Sequence, residues 1–273
     1  MKQKLLILIA AISFAAVVNA QDAKTMYIMH GGKTTTCAVS SIDSITFYNP
    51  DPLTIDEGVV INGVKWATRN LDVGGKFVAN PEDHGAIFQW GRHSDGHESR
   101  TSPRYPGDDN TPENGTVSGT ALDANGQVKS SHSAYGRFIK TNASPYDWRS
   151  PQDDALWNKA GAETGPVKTA NDPCPAGWRI PTKTEFATLG AGTWQTSPAG
   201  RKFGSGDNTL FLPAAGRRDN VGTFLDTGSR GFYWSSTIFG TTDRLYYLNV
   251  HSGGTGLGME YRGYGFSCRC VAE

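Results

Sequence analysis

Cys174-Pro175-Ala176-Gly177-Trp178-Arg179-Ile180-Pro181-Thr182 and, near the end of the chain, Gly265-Phe266-Ser267-Cys268-Arg269-Cys270-Val271 frame the C-terminal part of this protein. Gly231-Phe232-Tyr233-Trp234-Ser235-Ser236-Thr237 lies between them. A cysteine in each framing block predicts a covalent clasp on a loop-rich domain. Function is then expected in the loops inside the frame rather than in a catalytic cluster.

The cysteines have to be read with the compartment. Lys2 and Lys4 precede an apolar run from Leu5 to Val18, and Val18-Asn19-Ala20 offers a small-residue cleavage pattern. Residues 1–20 therefore read as a signal peptide, with the mature chain starting at Gln21 and secreted or held at the cell surface. No cysteine follows the cut, so a lipoprotein is not expected. The apolar run is too short to span a bilayer, and the mature chain offers no transmembrane segment. Export makes disulfides the default for Cys37, Cys174, Cys268 and Cys270, and four cysteines permit three full pairings. Cys268 and Cys270 are two apart and would share one face of a strand, where a direct bond is strained. Cys174–Cys270 is the preferred bond, with Cys37 and Cys268 free or joined to each other.

Lys and Arg number 26, as do Asp and Glu, and loss of the two leader lysines tips the balance to acid. No basic excess exists to hold a phosphate backbone, which argues against a nucleic-acid partner. The 33 glycines and 7 tryptophans predict many turns and aromatic-rich packing without long helices.

Residues 21–48 read as a short β segment: a strand at Met26–Met29, a turn at His30–Lys33, a return over Thr34–Val39 and a further strand at Ile42–Phe47. Two prolines, Pro50 and Pro52, place a linker at 49–58 before a domain over 59–273. Val59 to Trp66 predicts a hairpin turning at Asn62-Gly63. Residues 92–135 are polar and read as an extended surface loop. Ser150-Pro151-Gln152-Asp153-Asp154 has the form of a helix start leading to Leu156 and Trp157. Thr182-Lys183-Thr184-Glu185 is a capping-box pattern ahead of Phe186, Leu189 and a terminating Gly190. Leu210–Leu212, Gly231–Trp234, Tyr246–Val250 and Gly265–Val271 read as strands. The expectation is an α+β domain with two helices and long loops.

Taken in order, Trp66-Ala67-Thr68-Arg69-Asn70-Leu71, the Cys174–Thr182 block, Phe211-Leu212-Pro213-Ala214-Ala215-Gly216-Arg217, Tyr233-Trp234-Ser235-Ser236 and the Gly265–Val271 ending resemble the Fibrobacter succinogenes major paralogous domain, a bacterial C-type-lectin-like family. The resemblance covers about residues 59–273. It implies two small antiparallel sheets, terminal strands side by side, and Cys174 close to Cys270. Cys268 departs from the pattern, which has an apolar residue there. A related use of this fold, in the variable proteins of diversity-generating retroelements, implies a ligand-binding face over about Gly231 to Arg262. Phe239, Thr241, Asp243, Arg244, Tyr246, His251, Glu260 and Tyr261 are the residues expected to display there.

Rival chemistries fit less well. Sugar-binding lectins of the calcium-dependent kind supply Glu-Pro-Asn or Gln-Pro-Asp plus Trp-Asn-Asp; here the strand reads Trp234-Ser235-Ser236, and Asn80-Pro81-Glu82 lies elsewhere. Asp108-Asp109-Asn110 and Asp153-Asp154 read as solvated acids. His93-Ser94-Asp95-Gly96-His97-Glu98 has the donor types of a zinc site, but reads as an exposed loop. Cys268 and Cys270 invite comparison with the enzymes that make formylglycine, against which a buried disulfide terminus is favoured. Trp66, Trp178 and Trp234 read as core; Trp148 and Trp194 lie in looser sequence, where core packing is weighed against stacking on sugars. The sequence thus points to an exported non-enzymatic binding or adhesion protein, its partner a protein or glycan at a cell surface, with no catalytic residue, metal or cofactor assigned. The alternatives are a structural or tip subunit of a surface assembly such as a pilus, and an oxidase using the cysteine pair.

Overall fold

The computed structural model describes residues 25–30, 33–38, 53, 55–159, 163, 165–240 and 243–273. The chain divides into two compact units, residues 1–49 and 50–273. In the first, Thr25–His30 and Lys33–Ala38 form an antiparallel hairpin in which His30 pairs with Lys33, as the turn at His30–Lys33 foretold. The expected signal peptide and the Ile42–Phe47 strand lie outside the described residues, as does the Cys37 side chain.

The second unit corrects the expected α+β architecture. Among the described residues the protein is nearly all β. Its described residues hold several small sheets and a single α-helix, Lys183–Ala187. That helix forms on its capping box: Thr182 accepts from the Glu185 backbone N–H, Glu185 accepts from the Thr182 N–H, and Phe186 is buried beneath. The helix foreseen after Ser150 does not form. Arg149–Ser150 instead pairs in parallel with Val117–Ser118. Asp153 turns its carboxylate to Arg149 at 2.8 Å and to the Ala155 N–H at 2.9 Å. Leu156 and Trp157 are buried, Leu156 against Gly91, where a Cβ would lie 2.5 Å from its Cδ1. Tertiary packing here overrides a local signal.

One four-stranded sheet has the order Trp178–Arg179, Val271–Ala272, Val64–Trp66, Val59–Ile61. Asn62 and Gly63 turn its hairpin with φ of 47° and 86°. Val271 pairs with Trp66 and Arg179, so the last strand lies beside the first strands of the unit. Cys174 and Cys270 flank this pairing and are bonded, Cα atoms 6.1 Å apart. Asp172 accepts the Cys174 and Ile180 N–H groups, and the Lys168 ammonium donates to the carbonyls of Cys174, Pro175 and Trp178.

The sheet of Arg230–Ile238, Arg244–His251 and Gly254–Tyr261 divides the interior in two. Side chains alternate along a strand. Phe232, Trp234 and Leu245 therefore enter one cluster with Trp90, Trp148 and Phe266, while Tyr233, Leu248 and Val250 enter another with Trp66, Phe186 and Leu212. Trp234 stacks on Phe266 at 4.1 Å. The irregular segments are held by indole donors: Trp148 to the Trp90 carbonyl, Trp90 to Ser235, Trp234 to Phe88 and Trp157 to Arg92, at 2.7–3.0 Å. Trp148 is thus core, not a sugar platform. Residues 92–135 are a surface loop only in part, with 107–114 exposed throughout. Arg92, His97, Glu98, Val117, Gln127, Val128 and Ala134 are all buried.

Three outcomes follow from this packing. Replacing Cys174 and Cys270 by serine opens a loop of 96 residues and is expected to cost about 4 kcal/mol in urea unfolding, by loss of restraint on the unfolded chain. Trp148→Phe keeps an aromatic ring but removes the indole N–H and orphans the Trp90 carbonyl, so a loss of about 1–3 kcal/mol is expected by the same measurement. Burial pushes the Asp172 carboxyl up to about 7 against the N–H groups that favour its charge. A folded-state pKa above the unfolded value of 3.8 gives stability that is complete below about pH 4 and lost as pH rises through 7. Unfolding midpoints measured from pH 4 to 8 are expected to show this slope, and Asp172→Asn to remove its share of it.

Candidate functional site

Register decides which expected residues can meet. Arg244 pairs with Tyr261, Tyr246 with Met259 and Leu248 with Leu257, so these six share one face of the dividing sheet. Its inner end, Leu248 and Val250, is buried in the cluster of Phe186 and Leu189. The edge strand and the Arg244 end stay open, with Leu257 and Met259 exposed at 41% and 42%. The Arg244 guanidinium lies 4.6 Å from the Tyr261 ring and donates to its hydroxyl at 2.8 Å. Tyr261 packs on Tyr146 at 4.7 Å. Phe239 meets Tyr246 edge to face at 5.3 Å, and the Lys183 ammonium stands 4.4 Å over the Tyr246 ring. Two cation–aromatic stacks thus stand side by side on one stiff surface.

Of the residues expected to display, Phe239, Arg244, Tyr246 and Tyr261 come together. Asp243 flanks them, half-exposed, and Thr241 lies outside the described residues. His251 and Glu260 do not join. Their strand positions put them on the opposite face: His251 pairs with Gly254 at the far end and accepts the Gly253 N–H, while Glu260 is half-buried. Burial pushes the Glu260 carboxyl up, and burial raises the neighbouring Tyr247 and Tyr264 phenols, with the Glu260 charge acting in the same sense. Lys183, Tyr146, Leu257 and Met259 belong to the open face and were not foreseen. Cross-strand register places Leu257 and Met259, and although the capping box marks the helix of Lys183, nothing in it shows that the ammonium reaches Tyr246.

The His93–Glu98 segment is not an exposed loop. Asp95, His97 and Glu98 converge in the way metal ligands can. Both His97 ring nitrogens are engaged, however: Nε2 accepts the Gln89 N–H at 3.1 Å, which leaves Nδ1 as donor to Asp95 at 2.6 Å. Asp95 also takes Arg92 at 2.5 Å, and Glu98 accepts the Gly74 and Gly96 N–H groups. Burial lowers the His97 pKa, with the Arg92 charge acting in the same sense, while Asp95 is driven far below the usual carboxylate range by Arg92 and His97, against its burial. The donors are spent on holding the segment in the core, so they do not fit a metal ion. The other acids also face cations: Asp108 faces Arg104, Asp109 faces Lys140, Asp153 faces Arg149 and Asp154 faces Arg262.

Cys268 and Cys270 are not a thiol pair. Cys270 is bonded to Cys174, and Cys268 is a free, fully buried thiol that burial pushes well above its ordinary value. A reactive thiolate needs the reverse, access and a lowered pKa. Arg269, between the two cysteines, is buried too and donates to Asn70 and to the carbonyls of Ala67 and Phe211.

Compared with family models, with curated proteins and with solved structures, the chain shows no match. Long-range proton–nitrogen spectra are expected to show His97 as the Nδ1–H tautomer, titrating below its usual pKa of 6.5 and unmoved by added zinc. A zinc-induced shift of that ring would restore the metal reading.

Proposed function

We propose that this chain is an exported binding or adhesion protein that presents the open face of its C-terminal sheet to a protein or glycan ligand at a cell surface. The observation that carries this reading is the pair of stacks, Arg244 on Tyr261 and Lys183 on Tyr246, held on a sheet whose opposite face and inner end are core. Tyrosine and arginine dominate binding hot spots because they bring large contact area and directed polar groups with little freedom to lose. Leu257 and Met259 extend the face with apolar surface. The motif order resembling the Fibrobacter succinogenes major paralogous domain supports the same reading.

Glycan arrays and pull-downs from cell-surface extracts, made with the mature protein, test it. Arg244→Ala with Tyr261→Ala is expected to weaken any ligand found by about 2 kcal/mol or more, while the thermal midpoint changes little. Equal binding by parent and double variant, or turnover of a substrate without surface binding, would sink the proposal.

The second reading is a subunit or tip of a surface assembly. It draws on the Thr25–Ala38 hairpin, a two-stranded sheet in a unit of its own, which a partner strand could extend. If deletion of residues 21–48 leaves assembly and display unchanged, that reading fails.

A further inference from the structure

A cleft of about 340 Å³ opens between the strand Arg104–Tyr105 and the hairpin of Arg217–Arg218 with Phe224–Leu225. Arg100, Arg104 and Arg218 line it, with Asp108 as the one carboxylate among the lining residues. Arg218 is buried between the rings of Phe138 and Phe224, at 4.5 and 5.0 Å. Its guanidinium donates only to neutral oxygens: the Gly222 carbonyl, the Ser102 hydroxyl and the Ser102 carbonyl, at 2.7–2.9 Å. Arg100 donates to the Gly85 and Ala215 carbonyls and lies 5.6 Å from the Phe224 ring. Among the described residues neither cation has a carboxylate at ion-pair distance.

Buried arginines in this protein otherwise show what balance looks like. Arg92 has Asp95, and Arg262 has Asp154 and Asp147. In the cleft, three cations face one exposed acid, and that acid is already shared with Arg104. Burial pulls the Arg218 pKa down to about 10, with the Arg104 charge acting in the same sense, and burial lowers that of Arg100. Each guanidinium carries five N–H donors, of which the bonds above use three on Arg218 and two on Arg100. The remaining donors match the paired oxygens of a carboxylate, sulfate or phosphate. The volume is at the low end for a small-ligand site, about 300 Å³ and upward, which suits one such group and little else.

We propose that the cleft between Arg100, Arg104 and Arg218 binds a small oxyanion group, a carboxylate, sulfate or phosphate carried on a ligand. The site lies on different elements from the open sheet face and stands or falls separately from that reading.

The test is isothermal titration calorimetry on the full mature chain with sodium glucuronate, sodium sulfate and sodium phosphate, glucose serving as the uncharged control. Saturable binding of at least one oxyanion, weakening as sodium chloride is raised, is expected. Tightest binding of glucuronate would identify an acidic sugar as the source, and of sulfate or phosphate a tetrahedral group. Thr101→Glu places a carboxylate at the cleft wall from an exposed position whose hydroxyl meets only Ser99. It is expected to weaken oxyanion binding about tenfold or more without lowering the melting temperature, since it supplies the missing counter-charge. Arg104→Gln is expected to weaken binding in the same direction through an independent change. Absence of saturable binding for all three anions, equal binding of glucose, or anion binding unchanged in both variants would overturn the proposal.

Discussion

A backbone carbonyl inside a protein must find a donor, and this chain makes too few long strands to supply them. Many of its strands are two residues long, so ladder bonds serve only part of the interior. The rest is met by side chains that carry N–H groups deep into the core. Four indoles each donate to a carbonyl remote in sequence. Arg201 reaches Ala191, Gly192 and His251; Arg269 reaches Ala67 and Phe211; Lys168 closes three carbonyls of the Cys174–Trp178 turn. This accounts for the buried arginines and lysines of a chain that carries no excess of positive charge. Their first task is to satisfy peptide groups, and only some also meet a carboxylate.

The three-stranded sheet of Arg230–Ile238, Arg244–His251 and Gly254–Tyr261 has the longest strands among the described residues, and it separates two apolar clusters. Its first strand, Arg230–Ile238, is buried over most of its length with side chains in both clusters, so it cannot bend without disturbing two cores. The open end therefore inherits stiffness from packing it does not itself make. A register shift between Trp234 and Ile238 adds to this. It frees the Ser235 carbonyl for Trp90 and the Ser236 N–H for Pro181, joining the sheet to segments far away in the chain.

Features legible in the sequence were those in which a few adjacent residues settle a local geometry. The Asn62-Gly63 turn, the Thr182–Glu185 capping box and the strands over Leu210–Leu212 and Tyr246–Val250 are of this kind. Ser150 carried an equally good helix signature, yet its backbone pairs with Ser118 and its downstream apolar residues are drawn into the core. Polarity misled over residues 92–135: His97, Glu98 and Gln127 are buried because their side chains bond backbone groups of Gln89, of Gly74 and Gly96, and of Gly91 and His93, which composition does not reveal. Within the candidate site, half of the misplacement was avoidable. Tyr246 and His251 are five apart and Glu260 adjoins Tyr261, so an unbroken strand cannot show both members of either pair on one face. Lys183 and Tyr146 reach the site through contacts with no local trace in the sequence.

Because Val271 lies between Trp66 and Arg179, the first and last strands of the larger unit belong to one small sheet, with Val64–Trp66 between them. Tension applied to both flanks of the unit together reaches that sheet. The Arg244–Tyr261 face and the arginine-lined cleft are built on other sheets, while Ile61, Trp66 and Val271 tie this one into a core. A pull on the chain would peel Val271–Ala272 only as far as Cys270, where a covalent bond to Cys174 takes over. The clasp is thus a mechanical stop as well as a thermodynamic restraint.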